Sequence, residues 1–336
     1  MQQSLKHYQK INFPANPFTP RNKELNYASL YKFIRRKLLG FKGMMLLSSI
    51  SSGFFTGLSI VDSRRENKEK GISALVVSYN DPYWIEISLR SISDLVNEIV
   101  VVDSSNDETV EILERLSREL PIKLIRQPLL GIKKARETAL ANVSFKYVLT
   151  WDTDFIATQK LKERVRSFVE KSNDRYYYLV YFPFITLCGD LSHRCNKRYH
   201  TEHWLYTWSK KLKYLWDGSM EHLYAPVYYK RVILDTEPLG YHLTGIRKPE
   251  RMALKTLYRI SKYFDIMEEK GKDEAESVLK SVALERFGIQ DLKEIGYIII
   301  RDMIKGKPCF DYRKLPEEVL ERAKELGVPF GKCNDN

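Results

Sequence analysis

From Gly71 onward, apolar residues fall alternately into short continuous runs and into helically spaced sets. Ser73–Ser78 (SALVVS) predicts a buried strand, and Ile85–Val96 follows with Ile85, Leu89, Ile92 and Leu95 on one helical face. Glu98–Val102 (EIVVV) predicts a second strand, ending at Asp103. Glu108–Leu120 predicts a helix that turns Val110, Leu113, Leu116 and Leu120 inward. Ile122–Arg126 predicts a third strand, Ile132–Ala141 a helix, and Tyr147–Trp151 (YVLTW) a fourth strand ending at Asp152. Strand and helix in strict alternation imply an α/β fold, a mostly parallel sheet with helices on both faces. Such sheets bind ligands outside the carboxyl ends of their strands. Ser78 with Asn80, Asp103 and Asp152 stand at that edge, where a hydrophobic core has no use for carboxylates.

The alternation breaks after Phe155. Tyr176–Phe184 is aromatic and reads as a strand, and residues 188–222 hold His193, His200, His203, His222 and three tryptophans. From Pro249 the pattern turns helical, with Met252–Met267, Glu274–Phe287 and Pro316–Leu326 as helices. On the other side, Asp62–Lys70 is charged and reads as a solvated linker. Gly43–Val61 carries no charge over 19 residues but includes six hydroxyl residues and three glycines. Three placements are open for it: a helix packed on the main domain, attachment to a membrane surface, and a membrane span. The division expected is a basic N-terminal extension (1–70), a catalytic domain (71–248, halves 71–156 and 157–248) and a helical C-terminal region (249–336).

Composition narrows the class. Of 336 residues, 43% are apolar and 29% charged, which excludes a disordered chain. Sixteen Gly, 13 Pro and 4 Cys exclude collagen and disulfide-scaffold classes. The net charge of +12 is concentrated: residues 1–70 hold 13 Lys/Arg against 4 Asp/Glu, and residues 71–336 hold 42 against 39. Arg35, Arg36, Lys37 and Lys42 before the charge-free stretch favour a cytoplasmic start or an acidic lipid surface. The basic residues are scattered and framed by no nucleic-acid motif, so no nucleic-acid partner is expected. Cys188, Cys195, Cys309 and Cys333 show no C-x-x-C spacing, and no secretory signal opens the chain. A reduced, cytoplasmic protein is the expectation, with peripheral attachment to the cytoplasmic membrane face as its open variant. A local Cys188–Cys195 disulfide, or zinc held by Cys188, His193, Cys195, His200 and His203, are the alternatives for the cysteine-rich stretch.

The strongest local signal is Asp152-Thr153-Asp154, directly after a predicted strand. Two carboxylates so placed suit a hard divalent cation that bridges the phosphates of a nucleotide diphosphate. Alone, D-x-D is common. Here Ser78-Tyr79-Asn80-Asp81 follows the first strand and Asp103-Ser104-Ser105-Asn106-Asp107 the second. Gly131-Ile132-Lys133-Lys134-Ala135-Arg136 then opens the helix before the fourth strand. Taken in order, these segments resemble the family 2 glycosyltransferases, which have the GT-A nucleotide-diphospho-sugar transferase fold, itself Rossmann-like. The resemblance covers residues 72–156. It implies that Ser78 and Asn80 lie beside the nucleoside and that Asp103 binds base or ribose. Lys134 and Arg136 would lie near the diphosphate, with a buried Arg136–Asp103 ion pair as the alternative for Arg136. Asp152 would reach ribose or metal, and Asp154 would ligate Mn²⁺ or Mg²⁺. The family often has Asp-Asp-Gly-Ser where this chain has Asp103-Ser104-Ser105, which blurs the base preference between UDP- and GDP-linked sugars.

Trp216-Asp217-Gly218-Ser219-Met220-Glu221-His222 and the later Gly240-Tyr241-His242-Leu243 resemble a subgroup with a W-x-G-x-x-H-E block, here with Glu and His exchanged. That implies Glu221 as general base, with Asp217 as its rival, and His242 as a third metal contact. His193, His200 and Trp204 are further candidates for facing the acceptor. A haloacid dehalogenase-type phosphatase is disfavoured, because its nucleophilic Asp belongs on the first strand. The function implied is a metal-dependent, inverting, hexosyltransferase-type enzyme. Its donor is a nucleotide-diphosphate sugar and its acceptor a glycan, a protein or a lipid-linked sugar. The rival class is a non-catalytic basic membrane- or nucleic-acid-associated module on a decayed transferase fold.

Overall fold

The computed structural model of the chain describes residues 40–331, apart from 198, 217–220 and 329. It opens with helix α1 (Gly40–Gly57), whose Ser48 Oγ accepts from the Arg231 backbone N–H at 3.2 Å. Of the three placements open for Gly43–Val61, the packed helix is the one seen. Among the described residues no helix is long and apolar enough to cross a membrane, which corrects the spanning alternative.

Asp62–Lys70 is not a solvated linker. Asp62 and Ser63 are buried, Ser63 Oγ donates to the Asp174 carbonyl at 2.6 Å, and Glu66 accepts from Tyr177 and Ser209. A charge-rich segment reads as solvated only until its partners, far away in sequence, are known.

The alternating half follows the pattern. Strand β1 (Glu69–Ser78) leads to α2 (Ile85–Ile92), β2 (Glu98–Asp103), α3 (Thr109–Glu119), β3 (Ile122–Arg126), α4 (Ile132–Asn142) and β4 (Phe145–Asp152). Strands β3, β2, β1 and β4 lie side by side in that order, all parallel. The period of two along β1 assigns its faces. Ile72, Ala74 and Val76 pack with Ile85, Leu89 and Ile92 of α2 and Leu113 and Leu116 of α3. On the opposite face, Leu75 packs with Val100, Val148 and Ala135, Ala139 and Leu140 of α4. Both faces are covered, so these strands read as unbroken apolar runs.

The second half completes the sheet with mixed directions. After β5 (Phe155–Ala157) and α5 (Gln159–Lys171) come β6 (Tyr178–Cys188), β7 (His200–Thr207) and the small hairpin β8 (Lys213–Trp216) with β9 (Glu221–Tyr224). Strands β10 (Lys230–Ile233) and β11 (Gly240–Gly245) follow. β7 runs antiparallel between β4 and β6, and β11 pairs parallel with β6 and antiparallel with β5. The observed architecture is thus a mostly parallel α/β sheet flanked by helices, as expected.

The C-terminal part forms α6 (Pro249–Ser261), α7 (Tyr263–Lys270), α8 (Lys272–Phe287), α9 (Leu292–Ile304) and α10 (Glu317–Glu325). The single helix expected over Met252–Met267 is two, broken at Lys262 in the left-handed region at φ 54°. Helix α9 was not foreseen. Its Gly296 lies against Pro249, where an added Cβ would fall 2.0 Å from the carbonyl oxygen, so only glycine allows α9 to approach α6 this closely. Helix α10 shares a core with the first half: Val319 and Ala323 pack with Trp84, Ile156 and Leu243.

Cys188 and Cys195 form a disulfide, which corrects the reduced-thiol expectation for this pair. His193 Nδ1 lies 2.8 Å from Asp190 Oδ1. With both sulfurs joined to each other, the zinc alternative for this stretch is lost.

Candidate functional site

Three neighbouring strands end together. Asp103 of β2 is in register with Ser78 of β1, and Asp152 of β4 with Val77. The chain leaves β1 through Asn80, held at φ 47°, a left-handed conformation that asparagine tolerates better than most residues. The Asn80 backbone N–H donates to Ser105 Oγ at 2.7 Å, and its side chain exchanges two bonds of 2.8 Å with Asn106. Asn80 thereby ties the loop after β1 to the loop after β2. Ser78 is buried beside them, and its Oγ has no hydrogen-bond partner among the described residues.

Asp103 is fully buried. Its Oδ1 accepts from Ser105 Oγ at 2.6 Å and from the Ser105 backbone N–H at 3.2 Å. Its cation is Arg126, at the end of β3, which also donates to the Ser105 carbonyl. The alternative of an Arg136–Asp103 pair is therefore corrected: β3 lies next to β2 and delivers Arg126, whereas Arg136 on α4 faces β4. Arg136 is buried, pairs with Asp152 and lies 3.4 Å from Glu221 Oε1. Burial works against its charge, but Asp152, Tyr214 and Glu221 outweigh it and hold the guanidinium protonated. Glu221 is thus brought to Asp152 through Arg136, although the two carboxylates are 69 positions apart in sequence. Lys134 is exposed on the first turn of α4. Asp217, the rival base, lies outside the described residues.

Asp154 is the most enclosed carboxylate of the D-x-D pair, with 6% of its side chain exposed against 33% for Asp152. The Leu243 backbone N–H donates to the Asp154 carbonyl at 2.8 Å, and His242 pairs with Phe155 across β11 and β5. These backbone bonds bring His242 Nε2 to 3.4 Å from Asp154 Oδ1. The imidazole meets the Phe155 ring edge-on, and its Nδ1 is buried without a hydrogen-bond partner among the described residues. Arg247 Nη2 donates to Asp154 Oδ2 and to Asp81 Oδ2, each at 2.9 Å. Thr153 Oγ1 donates to the same Asp81 oxygen. Burial would raise the Asp154 pKa, but His242, Arg247 and Lys255 more than reverse this and hold it well below the usual carboxylate range. Lys255, on α6, donates to Thr244 Oγ1 at 2.7 Å, and crowding by protein together with Arg247 lowers its pKa.

Asp152, Asp154 and His242 each offer a ligand atom, and these atoms lie within 4.8 Å of one another. Two carboxylates and an imidazole suit Mn²⁺, and Mg²⁺ less well. The donor set therefore fits a divalent cation.

Residues 73–225 match the family model for glycosyl transferase family 2. Over that stretch, a little under half of its length, the chain is similar to glycosyl transferase family 2. It is similar, at 30% identity over 109 residues, to a protein of Rickettsia bellii named as an uncharacterized glycosyltransferase. That match covers 32% of this chain and 36% of the relative. A protein of Rickettsia felis with the same description is 31% identical over 107 residues, covering 31% and 36%. The chain thus spans about a third of the length of the curated relatives it matches. Among solved structures, residues 1–349 of S. aureus TarS in complex with UDP-GlcNAc superpose with a TM-score of 0.38 at 15% identity, covering 76% of this chain and 88% of that one. The mannosyltransferase PcManGT from Pyrobaculum calidifontis, in complex with GDP-Man and Mn²⁺, gives 0.36 at 14% identity, covering 85% and 92%.

The site contains residues that sequence patterns did not single out. Arg247 is four positions past Leu243, in no motif, and its partners Asp81 and Asp154 come from other elements. Arg126 gave a weak signal as the polar end of a predicted strand beside Asp103. Asp81 stood in the Ser78–Asp81 segment but suggested no partner.

Proposed function

We propose that this protein is a metal-dependent, inverting glycosyltransferase that moves a sugar from a UDP- or GDP-linked donor to an acceptor hydroxyl. The observation that carries this is the group Asp152, Asp154 and His242, set beside Asp103 and Ser78 at the carboxyl edge of a family 2 domain. Asp103, rigidly held by Ser105 and Arg126, accepts hydrogen bonds from base or ribose. Ser78 and Asn80 line the nucleoside, and Lys134 stands toward the diphosphate. Residues 71–156 serve the nucleotide and residues 157–248 the acceptor, which is a glycan, a protein or a lipid-linked sugar.

Asp152, Asp154 and His242 would hold the cation, which supplies charge stabilisation to the leaving diphosphate when bound. Arg136 neutralises Asp152 from within and orients Glu221. Glu221 takes the proton of the acceptor hydroxyl as that oxygen attacks the anomeric carbon. The bond from the anomeric carbon to the phosphate oxygen breaks, and the nucleoside diphosphate leaves with the electron pair. One displacement inverts the anomeric configuration.

Calorimetric titration with UDP, GDP and their sugar conjugates, with Mn²⁺ and again with EDTA, tests this reading. One nucleotide is expected to bind only with metal, and Asp154→Ala is expected to abolish that binding. Absence of binding to all of them would leave a transferase fold without a transferase site, and the interaction-module alternative would take its place.

A further inference from the structure

Helix α1 is built the wrong way round for a surface helix in water. Its inner face carries Ser48, Ser52 and Thr56, spaced four apart and buried, with Ser52 at 0% exposure. Its outer face carries Leu46, Leu47, Ile50 and Phe54, the last two each 59% exposed. Leu58 and Ile60 continue the exposed apolar surface past the helix end, and Val227 joins it where its carbonyl accepts from Ser51 Oγ at 2.8 Å. An ordinary amphipathic helix turns its apolar stripe to the core. Contiguous exposed apolar surface of this kind marks an interaction site.

We infer that α1 is a membrane-facing element whose outer face enters the interfacial layer of a bilayer with anionic headgroups. Charge selects this occupant. Residues 1–42 hold 9 Lys/Arg and 1 Asp/Glu, so the chain leading into α1 is strongly cationic. At the other end, Arg175 donates to the Thr56 carbonyl and Ser59 Oγ, Arg65 donates to the Ser59 carbonyl, and Arg64 is already paired with Asp62. Cations at both ends of an apolar face match an acidic lipid surface, where basic residues and apolar insertion act together. A nucleic acid would use the charges and leave the apolar face in water. A second copy of the chain would bring two basic arms together. The inner face is packed on the domain, so α1 lies along the surface rather than crossing it. The glycosyl transfer activity plays no part in this inference.

Flotation of the full chain with neutral phosphatidylcholine vesicles and with vesicles containing phosphatidylglycerol tests it. The full chain is expected to float with the anionic vesicles and far less with the neutral ones. The triple variant Leu47→Gln/Ile50→Gln/Phe54→Gln, altered only at solvent-facing positions, is expected to lose about tenfold or more of that partition with an unchanged thermal midpoint. Hydrogen exchange of the unmodified protein provides a second readout: anionic vesicles are expected to protect residues 46–54. No flotation, equal flotation of the triple variant, or no protection would overturn the inference. So would a dimer in solution that the triple variant dissociates without vesicle binding by either form, or binding to an RNA homopolymer with no binding to vesicles.

Discussion

Replacing Arg247 by methionine removes a buried guanidinium that two buried carboxylates share. Arg247 has 5% of its side chain exposed, Asp81 10% and Asp154 6%. Removing one partner of such a buried ionic group costs about 3–5 kcal/mol, because the remaining charges lose their compensation. His242 and Lys255 stay beside Asp154, so the lower end, about 3 kcal/mol, is expected. With an unfolding entropy of about 2.1 cal/mol/K per residue over roughly 300 residues, that corresponds to a fall in Tm of about 5 °C. The effect must depend on pH, and its sign follows from Asp154. The folded-state pKa of Asp154 lies below its unfolded value, so its ion pairs stabilise the fold above about pH 4 and lose that contribution as pH falls through the folded pKa. Without Arg247 the carboxyl protonates more readily, and the gap between the two proteins narrows from pH 7 toward pH 4. Thermal unfolding in EDTA at both pH values measures it. The triple replacement Asp81→Asn/Asp154→Asn/Arg247→Met should lose less than Arg247→Met alone, since it leaves neither buried carboxylate without its guanidinium. A loss under about 1 kcal/mol at pH 7, or a gap independent of pH, would refute the idea that this network is held by charge.

Two further outcomes are expected. Glu221→Gln should retain metal-dependent nucleotide binding while turnover falls by about 10²- to 10⁴-fold; normal turnover would show that Glu221 is not the base. Replacing both Cys188 and Cys195 by serine, which opens a bridge with a sequence separation of 7, should cost roughly 2 kcal/mol in thermal unfolding, and an unchanged midpoint would count against a structural bridge.

The alternating half was legible because its signals are local. Continuous apolar runs such as Ser73–Ser78 and helical spacing such as Ile85, Leu89 and Ile92 are written in consecutive residues, and each became the expected element. Asp103 and Asp152 at strand ends were legible for the same reason: parallel strands bring their carboxyl ends to one edge whatever their neighbours are. The second half was harder. β8 to β10 are only four residues each, and the directions of β7, β10 and β11 depend on partners distant in the chain. Helix α9 was missed although Ile295, Ile299 and Ile300 carry helical spacing, and the break at Lys262 has no glycine or proline to announce it.

Partner choice was the other blind spot. Arg136 and Arg126 are both basic residues near the sheet edge in sequence, and nothing local says which meets Asp103. Strand order decides: β3 adjoins β2, so Arg126 reaches Asp103, while α4 turns Arg136 to Asp152 and Glu221. Glycine and hydroxyl content in α1 likewise revealed a weakly apolar helix, but not which face would be turned inward.

By itself, then, the sequence determined the strand–helix alternation, the parallel edge and the carboxylates standing on it, because periodicity and strand termini are properties of neighbouring residues. Tertiary structure alone decided the pairing of charges, the approach of Arg247 to Asp154, and the outward apolar face of α1. These depend on which distant segments pack together, and burial there sets whether a charge is shared, shifted or exposed.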